Sequence, residues 1–304
     1  MNAVVTANDD NIKNIQNTIK VLDVNSYKIR YCDYYSNDGS NIGTKTEENQ
    51  AVNCKKIVTI LQERSIEEWL NVASILARKG FRLLIPELIG FRYNHKSVLE
   101  YTNESFIYDF FKTFLDQLGI FKANIIGSSF GAHIATEIAI RFSSMVKKLV
   151  LVSPESMSGR TDRYIIAALY PEVTENVYEA FGEMVYDPNG LNKETLIDLV
   201  NWMKLPNAKI RFISTVLAAR DVAKFKHRLS NIIAPTLLVL GDNDKTIPLE
   251  YYRQYNEIPI SKYVVIKNCG HIPHIEKPIE SGRVIQHLLL LDNNKQEGNK
   301  LPSG

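Results

Sequence analysis

The stretch NIIGSSFGAHIA, residues 124–135, decides how the rest of the chain is read. Asn124, Ile125 and Ile126 end an apolar run, Ala132 to Ala135 belong to a helix-like one, and between them Gly127-Ser128-Ser129-Phe130-Gly131 fits G-x-S-x-G with Ser129 at its centre. A serine on a tight strand-to-helix turn sits in strained backbone that lifts its hydroxyl above the sheet edge. Small residues two before and two after it let neighbouring elements close in. Ser128 then points elsewhere. The helix that starts here puts its positive end beneath a developing oxyanion, with the amide of Phe130 as the expected donor. A glycine-rich turn of this kind also occurs without any chemistry, so the reading depends on finding a base and an acid.

Working outward, strand-like and helix-like segments alternate. IKVLDVNSYKIRYCDYY (19–35) reads as two strands around an Asn-Ser turn, and a polar loop rich in turn formers follows. KIVTIL (56–61) is a short apolar strand. Ser65-Ile66-Glu67-Glu68 is a capping box that opens a helix carrying Trp69, Val72, Ala73 and Leu76 and stopping at Gly80. Then come the strand FRLLIP, a helix with Phe106, Phe110, Phe111 and Phe114 on one face, the strand KANIIG, the helix GAHIATEIAIRF and the strand VKKLVLVSP. Runs of Ile, Val and Leu in place of strict alternation imply a mostly parallel central sheet covered by helices on both faces, an α/β architecture.

After Pro154 the alternation breaks. Residues 155–230 are helix-like throughout, interrupted at Pro171, Pro188 and Pro206, and a buried strand returns only at APTLLVLG (234–241). A helical cap inserted after the sixth strand is therefore expected. The core is expected at 19–154 and 231–293, with residues 1–18 and 294–304 as flexible tails.

The 304 residues, 45% of them hydrophobic, suffice for a full core. The 36 basic and 34 acidic residues nearly cancel, and no basic stripe points to nucleic acid or to an anionic membrane. No segment has the continuous apolar length of a membrane helix and the N-terminus does not read as a secretory signal, so a cytoplasmic protein acting on a small molecule, as monomer or homodimer, is the expectation. Cys32, Cys54 and Cys269 lack C-x-x-C spacing, which disfavours a disulfide framework or a zinc site. No metal or organic cofactor is implied.

Two further placements bear on Ser129. Gly241-Asp242-Asn243-Asp244 follows directly on PTLLVL, and Cys269-Gly270-His271 follows directly on KYVVIKN. An acid and a histidine thus emerge from strand ends, which line the binding edge of an open α/β sheet. Glu155, after VKKLVLVSP, is a remoter candidate acid. The chain order Ser…Asp…His differs from that of two unrelated serine-protease folds.

With GSSFG, PTLLVLGDNDKTIP, CGHIPHIEKP and a weaker RLLIPELIGF, the chain resembles the α/β-hydrolase fold superfamily over roughly residues 20–293. The resemblance implies Ser129 as nucleophile, His271 as general base and, at the second acidic position of its turn, Asp244 rather than Asp242 as the acid that orients the imidazole. It implies a serine hydrolase with a helical cap. Where the family's third strand ends in His-Gly, this chain reads Leu61-Gln62-Glu63, so the second oxyanion amide is expected from Gln62 or Glu63. Arg92, in an altered loop bordering the same pocket, could hold a carboxylate by its planar fork or be a solvated loop residue.

His133, a turn down the helix from Ser129, reads as packing or surface, and His274 and Glu276 as helix-start residues. Cys269 reads as a small buried residue. Of the cap aromatics Tyr164, Tyr170, Tyr178, Phe181, Tyr186, Trp202 and Phe212, most are expected to pack and some to line the pocket.

The expected reaction is esterase-like, the cleavage of a carboxylic ester, lactone or thioester through an acyl-enzyme. The alternatives are carbon–carbon bond hydrolysis of a diketone-type substrate, a non-hydrolytic cyclase or lyase, and a ligand-binding protein on the same fold.

Overall fold

The computed structural model describes residues 19–25, 27–35, 56–62, 65–88, 104–154, 182–188, 201 and 226–291. Eight strands form one sheet: β1 (Ile19–Val24), β2 (Tyr27–Tyr34), β3 (Ile57–Leu61), β4 (Arg82–Pro86), β5 (Ala123–Ser128), β6 (Val146–Val152), β7 (Thr236–Gly241) and β8 (Ser261–Ile266), in the order 1-2-4-3-5-6-7-8. β1 and β2 join as a hairpin, β2 pairs antiparallel with β4, and every pairing from β4 to β8 is parallel. Asn25 turns the hairpin at φ 49°, a left-handed conformation that asparagine tolerates.

Among the described residues, the helices that accompany the sheet include α1 (Leu70–Ala77), α2 (Glu104–Gln117), α3 (Phe130–Arg141), α4 (Pro273–Glu276) and α5 (Pro278–Leu290). The continuous apolar runs of the parallel strands divide by the strand period of two. Ile125, Leu149, Leu151, Leu238 and Leu240 enter one layer, with Phe110, Phe111 and Phe114 of α2 and Ala132, Ala135 and Ile138 of α3. Ile126, Val150, Val152, Leu237 and Val239 enter the other, with Trp69, with Leu76 of α1 and with Ile285 and Leu288 of α5. Helices cover both faces, as the apolar runs imply. α1 and α5 approach closely at Gly282, where a Cβ would lie 2.6 Å from Ile75 Cδ1.

The start of α1 differs in detail from the expected capping box. A 3-10 turn, Ile66–Trp69, precedes the α-helix, and Ser65 Oγ accepts the Glu67 amide at 3.2 Å while its hydroxyl donates to the Glu67 carboxylate. The tighter winding brings the second residue of the turn, not the third, over the cap. The helix ends at Ala77, ahead of Gly80 at φ 78°.

Two buried charges are matched within the sheet and against it. Asp33 on β2 receives both arms of Arg82 on β4, each at 2.8 Å, and Lys20 on β1 at 2.9 Å. Burial pushes the Asp33 carboxyl up, but the Arg82 and Lys20 bonds and charges outweigh it and hold it below the ordinary aspartate value. Lys148 on β6 sends its ammonium to the carbonyls of Leu288 (2.9 Å), Leu289 (3.2 Å) and Leu291, closing the C-terminal end of α5.

Both expected tails and most of the expected cap, 155–230, lie outside the described residues. Within that stretch, residues 182–188 rest against the loop that follows β8, and a 3-10 turn, Lys226–Asn231, leads back to the sheet.

Candidate active site

β5 delivers the chain to Ser129, whose backbone stands at φ 49° and ψ −117° immediately before α3. A non-glycine residue held there stores strain on the order of 1–3 kcal/mol and persists because its surroundings fix it. The Ser129 amide donates to Val152 O on β6 at 3.0 Å. The two motif glycines are required by space rather than by φ. A Cβ on Gly127 would stand 2.4 Å from Gly131 O, and one on Gly131 would stand 2.1 Å from Leu61 O and 2.9 Å from Gln62 N. The end of β3 is therefore pressed onto the first turn of α3, and the Gln62 main chain is brought beside the serine.

The loops after β7 and β8 supply the other two groups. Gly241 lets them meet, since a Cβ there would lie 2.1 Å from Gly270 O. His271 Nε2 is 3.2 Å from Ser129 Oγ and His271 Nδ1 is 2.8 Å from Asp244 Oδ2. An ionised carboxylate only accepts, so Nδ1 carries the proton and Nε2 presents a lone pair to the serine hydroxyl. Asp244 is fully engaged: Oδ1 accepts the Thr246 and Ile247 amides at 2.9 and 2.8 Å, and Oδ2 also accepts the Tyr252 hydroxyl at 3.1 Å. Burial pushes this carboxyl up, but the neighbouring His271 and the hydrogen bonds outweigh it and hold it below the ordinary aspartate value. Tyr252 is completely buried, and burial beside the Asp244 charge raises its phenol well above the usual tyrosine value.

Asp242, the competing acid, faces another way. Its Oδ1 accepts the Asn243 side-chain amide at 2.6 Å and the Cys269 amide at 3.3 Å, and Lys267 lies 3.6 Å from its Oδ2. Glu155 lies outside the described residues, as do Glu63 and Arg92. Gln62 and Phe130 are both buried at the foot of the site.

Other residues singled out by the sequence fall as follows. His133 is buried in α3, stacked on the Phe130 ring at 5.7 Å with Nε2 3.2 Å from Tyr108 Oη, and burial drives its pKa down to about 3. It is packing, and neutral. Cys269 is buried, and burial with the Glu276 charge pushes its thiol far up, away from thiolate chemistry. His274 stacks on Trp69 at 4.2 Å. Glu276 does more than start a helix: Oε1 accepts the Gly270 amide at 2.9 Å and Oε2 the Tyr186 amide at 2.7 Å. Tyr252 is a site neighbour that the sequence does not single out, and Glu276 one that it marks only as a helix-start residue. Of the seven expected cap aromatics only Tyr186 is among the described residues, and it is exposed. Among the described residues no group of three His, Cys, Asp or Glu side chains could hold a metal ion, and no helix is long and apolar enough to cross a membrane.

A family model described as alpha/beta hydrolase fold matches residues 61–186 and 206–278. Among curated relatives, a 2-hydroxy-6-oxononadienedioate/2-hydroxy-6-oxononatrienedioate hydrolase of Pseudomonas putida is 30% identical over 212 residues, 66% of this chain and 74% of that protein. An enzyme of the same description from a Pseudomonas species is 27% identical over 202 residues, 63% of this chain and 71% of that one. A solved serine hydrolase involved in carbazole degradation superposes with a TM-score of 0.73 at 19% identity, covering 90% of this chain and 99% of that one, a likeness of fold.

Proposed function

The chain belongs to the alpha/beta hydrolase fold family, and from that premise we propose that it is a serine-dependent hydrolase that breaks a carbon–carbon bond beside a ketone. The observation that carries the reading is the unbroken line from Ser129 Oγ through the His271 ring to Asp244, at 3.2 and 2.8 Å. Substrate class comes from the relatives. Compounds described as 2-hydroxy-6-oxo-nonadienedioates contain no ester. Their electrophilic carbon is the 6-oxo ketone, so adding water there must break the bond to a neighbouring carbon.

In this mechanism His271 Nε2 takes the hydroxyl proton as Ser129 Oγ attacks the ketone carbon. The backbone N–H groups of Phe130 and Gln62, on the two elements packed around the serine, stabilise the oxyanion. Collapse of the tetrahedral intermediate, formed on the 2,6-dioxo tautomer in which the enol proton has moved to C5, sends the bonding pair onto C5, where conjugation with the C2 ketone spreads the charge, and His271 returns its proton to the enolate oxygen. Water, activated by the same imidazole, then releases the acyl group from Ser129. The balance is one water consumed, one carboxylic acid and one C–H bond formed. Asp244 keeps the imidazole in the required tautomer throughout.

Ester, lactone or thioester cleavage shares every step up to the tetrahedral intermediate and differs only in an oxygen or sulfur leaving group. It stands as the second reading, on the same three residues.

The deciding experiment pairs fluorophosphonate labelling of wild type and Ser129→Ala with turnover of a synthetic 2-hydroxy-6-oxo-dienoate and of a nitrophenyl ester panel. Labelling that disappears in Ser129→Ala, with loss of the dienol absorbance, is the expected result. Labelling with esters turned over and the dienoate untouched moves the ester reading to first place. A well-folded wild type that neither labels nor turns over either class refutes acyl transfer and leaves the lyase or binding-protein readings.

A further inference from the structure

We propose that Glu276 is a positioning residue for His271, acting by fastening the Met184–Tyr186 segment to the loop that carries the imidazole. The proposal rests on the reading of His271 as the general base.

The His271 ring is held from its side-chain end by Asp244. Its main chain is held from elsewhere. The His271 amide donates to Met184 O at 2.6 Å, a residue far away in sequence. One residue earlier, Gly270 is pressed so closely onto the same segment that a Cβ would stand 2.4 Å from Met184 O and 2.8 Å from Val185 Cα. Glu276 bridges the two sides: one carboxylate oxygen takes the Gly270 amide at 2.9 Å and the other takes the Tyr186 amide at 2.7 Å. The same carboxylate receives the Ile272 amide, and Cys269 Sγ lies 3.9 Å from Oε1. The amides of the residues on either side of His271 therefore end on one carboxylate, which also takes the amide of the opposing segment. Val185, between the two linked positions of that segment, is wholly buried.

A charged acceptor for several main-chain N–H groups fixes a loop more tightly than neutral partners do. The consequence for chemistry is geometric. An imidazole tethered only through Nδ1 can swing about that bond, and Nε2 must stay within reach of Ser129 Oγ to take its proton. Burial raises the Glu276 carboxyl above the ordinary glutamate value, and the amides of Tyr186, Gly270 and Ile272 act against that shift by bonding to the ionised form. As a mere first-turn acid of the four-residue α4, Glu276 would have no reason to reach back to Gly270 and across to Tyr186.

The test uses the full chain with Glu276→Ala, Glu276→Gln, Gly270→Ala and the double variant Gly270→Ala/Glu276→Ala. Two quantities are read: the rate at which a fluorophosphonate labels Ser129, and the downfield proton resonance of His271 Nδ1–H in its bond to Asp244. Glu276→Ala is expected to slow labelling on the order of 10- to 100-fold and to broaden or remove the resonance. Glu276→Gln, which keeps one acceptor oxygen, is expected to fall between. Gly270→Ala detaches the same segment by another route, so its effect and that of Glu276→Ala combine to less than their product. Unchanged labelling and an unchanged resonance in Glu276→Ala overturn the proposal, as does full multiplicativity in the double variant. Should Glu276→Ala fail to fold, Glu276→Gln and Gly270→Ala carry the same comparison. A wild type that does not label at all sinks the hydrolase reading, and the resonance then decides the role of Glu276 alone.

Discussion

Tyr252 donates its hydroxyl to Asp244 Oδ2, the same oxygen that receives the imidazole of His271. A wholly buried phenol thus shares the carboxylate that orients the base, and the acid depends on it for part of its low pKa.

Tyr252→Phe keeps the ring and removes that donor. A hydrogen bond to a charged group is worth about 1.5–3 kcal/mol, so acylation of Ser129 is expected to slow on the order of 10- to 100-fold. The folded-state pKa of Asp244 then moves back up towards the ordinary value, so the stability that its ionised form contributes is smaller and is fully lost at a higher pH on acidification than in the wild type. Fluorophosphonate labelling checks the first effect, and urea midpoints measured against pH check the second. Asp244→Asn is the harsher control. With the wrong tautomer of His271 favoured, the loss is expected on the order of 10,000-fold.

His133 titrates against folding. Its folded-state pKa is about 3 against an ordinary 6.5, so the neutral ring is the folded form. Stability from this group is fully present above pH 6.5 and drains away as the pH falls towards 3, a loss that begins well before most carboxylates protonate. His133→Gln is expected to lower stability at pH 7 but to flatten its fall between pH 6.5 and pH 4. Urea midpoints measured across that range test this.

Gly131→Ala cannot be absorbed by a rotamer change, because the atoms it meets are the main chain of Leu61 and Gln62. Either β3 or α3 must move. A loss of about 3 kcal/mol or more is expected, comparable with severe overpacking, together with loss of Ser129 labelling. Thermal unfolding and labelling of the same sample read the two effects.

Lys148→Met keeps the aliphatic stem and takes away the ammonium that closes α5. Three carbonyls lose a charged donor, and a loss of about 2–4 kcal/mol is expected with labelling of Ser129 unchanged, since α5 packs on the far side of the sheet from α3. Denaturant unfolding measures it.

The sheet is legible in the sequence because parallel strands buried on both faces carry near-continuous apolar runs, and β5, β6 and β7 announce themselves by residues 125–126, 149–152 and 237–240. The three residues brought together at the site are legible too. Gly127 is imposed by the main chain of Gly131 and Ala132, a few residues on, Gly131 by the main chain of Leu61 and Gln62 at the end of β3, and Asp244 and His271 stand just beyond strand ends. What is hidden is every contact whose partner is set by tertiary packing. Tyr252 reads as one aromatic among many in a 3-10 turn, and only the fold puts its hydroxyl on Asp244. Glu276 reads as a helix-start acid, whereas its partners are main-chain amides, which carry no residue signature. The choice between Glu67 and Glu68 at the α1 cap turns on whether the first turn winds as 3-10 or α, and both glutamates suit either. The leaving group is hidden for a different reason. Ester and carbon–carbon cleavage use one and the same nucleophile, base and acid, so these residues alone do not separate them, and the relatives favour the second.

The strand order also dictates how the molecule is made. β6 lies between β5 and β7, yet the chain does not reach β7 until Thr236, after the whole stretch from Ser153 onwards has been synthesised. At roughly 5–20 residues per second the ribosome takes on the order of ten seconds to cover it. Throughout that interval a nascent chain holding Ser129 on its turn carries an unpaired mid-sheet edge, β6, rich in Val and Leu side chains, and lacks both acid and base. The newborn protein is thus at its most adhesive when it is chemically inert, and the arrival of β7 closes the edge and brings in Asp244 together.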